Sequence, residues 1–198
     1  MIETHNIETK THGRFLVKRG VSQRLLVGFH GYAENAEKHL VELEKLELDW
    51  TLVSVQALNR FYARGDELIV ASWMTRQDRD DAIADNIEYV RRVVDAMAPY
   101  DTLAFLGFSQ GAAMAYRAAA RISCSGVIAL GGDLPPDVPS LAVPVLIGRG
   151  EHDGWYTDEK LKKDLKSVPH ANTCVFDGGH EWSDDFRRAA SEFLRRLK

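Results

Sequence analysis

The sequence predicts an α/β domain in which a mostly parallel central sheet carries helices on both faces. Two patterns carry that expectation: short apolar runs alternate with longer stretches of helical spacing, and most of the short runs are apolar throughout, as strands covered on both faces must be. Size is the third observation. A chain of 198 residues matches one ordinary domain with a sizeable core, so residues 1–198 are expected to form a single domain.

In chain order, Arg14–Lys18 alternates apolar and polar residues and reads as an edge strand. The runs Leu25–Phe29, Leu52–Val55, Leu103–Leu106, Val127–Leu130, Val143–Ile147 and Thr173–Phe176 read as strands of the sheet. Between them, Ile83, Ile87, Val90, Val94 and Met97 recur at three- and four-residue intervals, which places one apolar stripe on a helix. Leu161, Leu165 and Val168 repeat the pattern, and so do Phe186, Ala190, Phe193 and Leu197. The basic residues of that last stretch share it with Asp184, Asp185 and Glu192, so the reading is a solvated helix face. From Asn59 to Arg79 runs a polar stretch with Trp73 inside it, long enough to be read as a functional loop. Asp133 to Ala142 carries Pro135, Pro136 and Pro139, leaving room for neither a helix nor an inserted cap.

Composition excludes several classes of function. With 25 Lys+Arg against 29 Asp+Glu, a net charge of −4 gives no electrostatic reason to expect nucleic acid or an anionic membrane as partner. No run approaches the roughly 18 apolar residues of a membrane span, so stable membrane insertion is not expected. The N-terminal stretch is polar and has no apolar leader core, and Cys124 and Cys174 cannot build a disulfide framework; together these point to the cytoplasm. The histidines lack metal-ligand spacing, and the glycine-rich run from Gly148 to Gly154 has no phosphate-loop pattern, so neither a metal nor a cofactor is expected. The composition does not set the oligomeric state.

One motif carries chemistry. Gly107-Phe108-Ser109-Gln110-Gly111 has the form G-x-S-x-G, with an apolar strand leading in and an Ala-rich helix leading out. That is the strand, sharp turn and helix of a nucleophile elbow, in which both glycines avoid a collision between a Cβ and the neighbouring backbone. A serine hydroxyl needs a base, and the base needs an orienting carboxylate. Both follow in the order such an elbow requires: Asp153 after one strand, then His180 on a glycine-rich turn after the next. Glu151, Asp177 and Asp133 compete with Asp153. His5, His12, His39 and His170 read as surface residues, His152 as pointing away from the acid, and His30 as structural. For a developing oxyanion, one donor is the backbone N–H of Gln110; the second is assigned to the N–H of Tyr32, in the loop after Leu25–Phe29.

These residues resemble the α/β-hydrolase superfamily and, within it, the phospholipase/carboxylesterase family that includes acyl-protein thioesterases. The likeness lies in Leu26-Val-Gly-Phe-His-Gly31, Ser72-Trp73, Gly107-Phe-Ser-Gln-Gly111, Gly132-Asp-Leu-Pro135, Gly150-x-x-Asp153 and Gly179-His180. It departs at Ala33 and Glu34, where the family has Gly and Asp, and at Met74 and Thr75 after Ser72-Trp73. The resemblance implies a minimal α/β-hydrolase fold without a cap domain. It implies a Ser109, His180 and Asp153 triad, a small acyl ester or thioester as substrate, and Trp73 against the acyl chain. Tyr32, Trp155, Tyr156 and Trp182, with Phe108 in the elbow, are expected to complete an apolar, aromatic-walled pocket. A lactone or dienelactone-type hydrolase and a non-catalytic binding module on the same scaffold are the alternative readings.

Overall fold

The computed structural model describes residues 1–65 and 67–197. Its strands are β1 (Arg14–Lys18), β2 (Arg24–Phe29), β3 (Thr51–Gln56), β4 (Asn59–Tyr62), β5 (Ile69–Ser72), β6 (Thr102–Phe108), β7 (Gly126–Leu130), β8 (Val145–Gly150) and β9 (Asn172–Phe176). Its helices are α1 (Ala36–Glu44), α2 (Arg79–Ala96), α3 (Gln110–Arg121), α4 (Asp158–Ser167) and α5 (Asp184–Arg196). Among the described residues, seven strands form one sheet in the order β1-β3-β2-β6-β7-β8-β9. Only β1 runs antiparallel, paired with β3 from Arg14 opposite Gln56 to Lys18 opposite Leu52.

The buried strands explain the architecture. Because side chains alternate across a sheet, Leu25, Val27 and Phe29 of β2 enter one core layer while Leu26 enters the other. In β6, Leu103 and Phe105 face the first layer, and Ala104, Leu106 and Phe108 the second. Helices α2, α3 and α4 cover the first face through Val90, Val94, Ala112, Ala115 and Leu161. Helices α1 and α5 cover the second through Leu43, Phe186, Ala190 and Leu194. The strands are apolar throughout because both their faces are covered.

Three differences from the sequence expectation follow from tertiary contacts. The stretch from Asn59 is not one long loop: β4 and β5 pair antiparallel in a hairpin from Asn59 opposite Ser72 to Tyr62 opposite Ile69, and α2 begins at Arg79. Every residue of β4 is exposed, so no apolar alternation marks it. Helix α1, missed by periodicity, buries only Ala36, His39 and Leu43, and its start is set by Asn35, whose side chain accepts a hydrogen bond from the Lys38 N–H. The eighth strand begins at Val145 rather than Val143 and continues into Gly148-Arg149-Gly150. The proline-rich connection between β7 and β8 contains no helix among the described residues, and it packs Val138 and Leu141 into the first core layer.

Candidate active site

Ser109 sits between β6 and α3 with φ 55° and ψ −118°, a conformation that costs an L-residue roughly 1–3 kcal/mol. The surroundings hold it there. Its N–H donates to the Leu130 carbonyl at 2.8 Å and its carbonyl accepts from the Ala112 N–H at 3.0 Å. A Cβ on Gly107 would lie 2.0 Å from the Gly111 carbonyl oxygen, and one on Gly111 would lie 2.0 Å from the Phe29 carbonyl oxygen. These approaches are the reason for the two glycines: β6, α3 and the end of β2 meet at backbone contact.

Three side chains from three connections converge at this elbow. The Ser109 Oγ lies 2.8 Å from His180 Nε2, and His180 Nδ1 lies 2.8 Å from Asp153 Oδ2. Asp153 is buried and anchored, its Oδ1 accepting from the backbone N–H groups of Trp155 at 2.7 Å and Tyr156 at 2.9 Å. One carboxylate oxygen is thus committed to the backbone and the other to the imidazole. Gly131, at φ +63°, ends β7 beside the ring, where a Cβ would come within 3.1 Å of His180. The Phe108 ring backs the imidazole at 5.0 Å between centroids.

The competing groups make other contacts. His152 turns toward Asp177 at 3.6 Å, both exposed, and Asp133 faces Lys160 at 3.2 Å. His30 is fully buried, with Nδ1 2.7 Å from the Gly31 carbonyl and Nε2 accepting from the Ala57 N–H at 3.1 Å. Burial holds its pKa below the usual histidine range. His39 is not a surface residue: it is buried on α1 against the Trp182 ring, with neither ring nitrogen hydrogen-bonded among the described residues. At the oxyanion side, the Tyr32 N–H takes no hydrogen-bond acceptor among the described residues, and Gln110 N–H opens α3, where a helix leaves its first donors unpaired.

The aromatic residues are dispersed rather than gathered into one apolar wall. Trp73 is fully buried beneath the site, its indole N–H donating to the His30 carbonyl at 2.8 Å and its ring edge-on to Phe29. Tyr156 is fully buried as well and donates its hydroxyl to Asp164 at 2.9 Å. Phe108 and Trp182 line a smaller cavity of about 240 Å³ behind His180. Trp155, exposed, reaches the cavity that holds Ser109 and His180, and Tyr32 lines a neighbouring cleft. The Ser109 cavity, about 470 Å³, is also walled by residues that the sequence reading did not assign to a pocket, Met74, Arg79, Arg117, Leu134 and Lys163 among them. No spacing rule could find them, because they come from separate elements.

Gln110 has a second task that its motif position does not reveal. Its side-chain oxygen accepts from the Trp73 N–H at 2.8 Å, and its amide nitrogen donates to the Met74 carbonyl at 3.2 Å. The strap after β5 is thereby tied to the elbow, which sets Met74 at the mouth of the cavity.

A strained serine at a strand-to-helix turn, a histidine and a buried aspartate on a parallel sheet define an α/β-hydrolase-type architecture. The family model for "Serine hydrolase (FSH1)" matches residues 22–182, and the chain belongs to that family. Solved structures share the fold at low identity. Esterase PE8 aligns at TM-score 0.74 and 21% identity, over 95% of this chain and 100% of that one. Acyl-protein thioesterase 2 of Zea mays aligns at 0.76 and 17%, over 93% and 98%, and the carboxylesterase of Bacillus cereus at 0.74 and 16%, over 93% and 94%. No curated protein matches the sequence. Among the described residues, no helix is long and apolar enough to cross a membrane.

Proposed function

We propose that this serine hydrolase cleaves small carboxylic esters or thioesters through an acyl-enzyme on Ser109. The supporting observation is the continuous relay Ser109 Oγ, His180, Asp153, with both contacts at 2.8 Å. His180 Nε2 takes the hydroxyl proton as Oγ attacks the acyl carbon, then gives that proton to the departing alcohol or thiol as the acyl bond to it breaks. Water, deprotonated by the same nitrogen, then adds to the acyl carbon and releases the acid, restoring the serine hydroxyl. Asp153 orients the ring through Nδ1–H and stabilises the imidazolium, while the N–H groups of Tyr32 and Gln110 receive the oxyanion. The whole chain works as one cap-less catalytic domain in the cytoplasm, where its two thiols, Cys124 and Cys174, stay free.

A fluorophosphonate probe is expected to label the wild-type protein at Ser109 and to leave Ser109→Ala unlabelled, with hydrolysis of a p-nitrophenyl ester lost in parallel. Undiminished labelling and turnover in Ser109→Ala would overturn this reading.

A further inference from the structure

The Ser109 cavity does not stand alone. A larger cleft of about 890 Å³ adjoins it, and Met74, Arg79 and Gln110 line both. Charges are distributed unequally between the two. In the Ser109 cavity basic and acidic groups are mixed: Arg117 binds Asp137 through two hydrogen bonds of 2.7 and 2.8 Å, Lys160 meets Asp133 at 3.2 Å, and Arg79 and Lys163 share the lining with Asp164. Among the described residues, the adjoining cleft is lined by Arg60, Arg76 and Arg79 and by no carboxylate. Arg60 donates to the His12 carbonyl at 2.8 Å, which leaves its charge in place, and neither Arg76 nor Arg79 joins an ion pair among the described residues.

Asp78, Asp81 and Asp85 line a neighbouring depression that meets this cleft at Asn59 and Thr75, and there Asp78 and Asp81 accept hydrogen bonds from the Asn6 amide at 3.2 and 2.8 Å. Arg79 also lies within electrostatic reach of Asp137, which is already bound by Arg117, but in a chain of net charge −4 three arginines along one cleft with no carboxylate in its lining are not a consequence of overall basicity. Guanidinium groups that line one cleft repel one another, and an oxygen anion bound there relieves that repulsion while accepting paired hydrogen bonds. The cleft also carries Tyr32 and Phe61, whose rings lie 5.8 Å apart along the same wall.

We infer that the substrate is an anionic ester or thioester, one half of which bears a carboxylate or phosphate held by Arg60, Arg76 and Arg79 beside Tyr32. This rests on the hydrolase reading above and specifies its substrate class. Bond making and breaking at Ser109 are unchanged, and water remains the co-substrate.

The test compares matched esters. 4-Acetoxybenzoate and 4-acetoxyphenyl phosphate place the anion on the leaving group, with methyl 4-acetoxybenzoate as the neutral partner; phenyl hemisuccinate places it on the acyl group, with phenyl valerate as its partner. At low ionic strength, kcat/KM for at least one anionic ester is expected to exceed its neutral partner by about tenfold or more, as charge-assisted hydrogen bonds to exposed arginines allow. That ratio should fall toward one in Arg60→Gln/Arg76→Gln and with added salt, and it should persist in Arg195→Gln, an exposed change on α5. Calorimetry of the same anionic esters with Ser109→Ala reads the cleft without turnover. Neutral esters hydrolysed as well as anionic ones, with the ratio unmoved by the double variant, would overturn the inference and leave the hydrolase reading standing. Failure of every ester and of the fluorophosphonate label would remove the hydrolase reading; anion binding to Ser109→Ala that disappears in the arginine variant would then still support the cleft, and no binding would overturn it.

Discussion

Asp153 divides its two oxygens between the backbone and the imidazole, Oδ1 accepting from two backbone N–H groups and Oδ2 facing His180. Asp153→Asn can keep the Oδ1 contacts while placing an amide N–H against the imidazole, which reverses the tautomer that Ser109 needs. That variant is expected to fold, to leave KM nearly unchanged and to lower kcat by roughly 10³–10⁴-fold, as steady-state kinetics of a p-nitrophenyl ester would show. A loss below about tenfold would indicate that the carboxylate does not act on the base. The neighbouring contenders Glu151 and Asp177 are both exposed, and among the described residues Asp177 pairs with His152 rather than with His180.

Among the elements, the crossing of β2, β6 and α3 bears the greatest constraint. Gly111 opens the first turn of α3 against the Phe29 carbonyl, and a Cβ there would need the helix to move by more than an ångström. Gly111→Ala is accordingly expected to lose about 2–3 kcal/mol of stability in urea unfolding and to lose fluorophosphonate labelling in whatever fraction remains folded. Unchanged stability together with full labelling would show that the elbow can relax around the methyl. On the second face, Gly148 has a related duty, because its missing side chain makes room for the Phe186 ring of α5. The β4–β5 hairpin belongs to this scale too. It brings Ser72 and Trp73 to Gln110, and α2 continues the connection through the Asn86 amide, which donates to the Trp73 carbonyl at 2.7 Å.

For the whole molecule, burial of His39 links the fold to pH. Enclosed between α1, β2 and the Trp182 ring, its pKa is lowered to about 3 because the charged imidazolium cannot be solvated there. Between that value and the ordinary 6.5 the unfolded chain binds a proton that the folded chain refuses, so stability rises with pH across this window and falls on acidification. From pH 7.5 to pH 5 the loss attributable to this residue is about 2 kcal/mol. His39→Leu is expected to flatten that dependence by a similar amount in urea titrations at the two pH values; parallel losses in wild type and variant would refute the assignment. Buried His30, whose pKa burial also lowers, adds acid sensitivity of the same sign in both proteins.

How much of this was legible in the sequence depends on the range of the interaction involved. Apolar runs reveal strands buried on both faces, so β2, β3, β6 and β7 could be read directly, and the elbow glycines, Ser109 and His180 could be read because a tight turn restricts residue type locally. Helix α1 and strand β4 escaped because each presents too narrow or too polar a face for periodicity to register. The pocket escaped for a different reason. Trp73 and Tyr156 look like pocket walls by residue type, yet both are fully buried, and the walls are instead built by Arg79, Arg117 and Lys163. By itself the sequence determined the fold class and the chain order of Ser109, Asp153 and His180, the proposed nucleophile, acid and base, since these depend on short-range pattern and chain order. Only the tertiary structure decided which charges face the cleft, because that depends on which sides of β4 and α2, and of the strap between β5 and α2, turn toward Ser109 once the sheet is assembled.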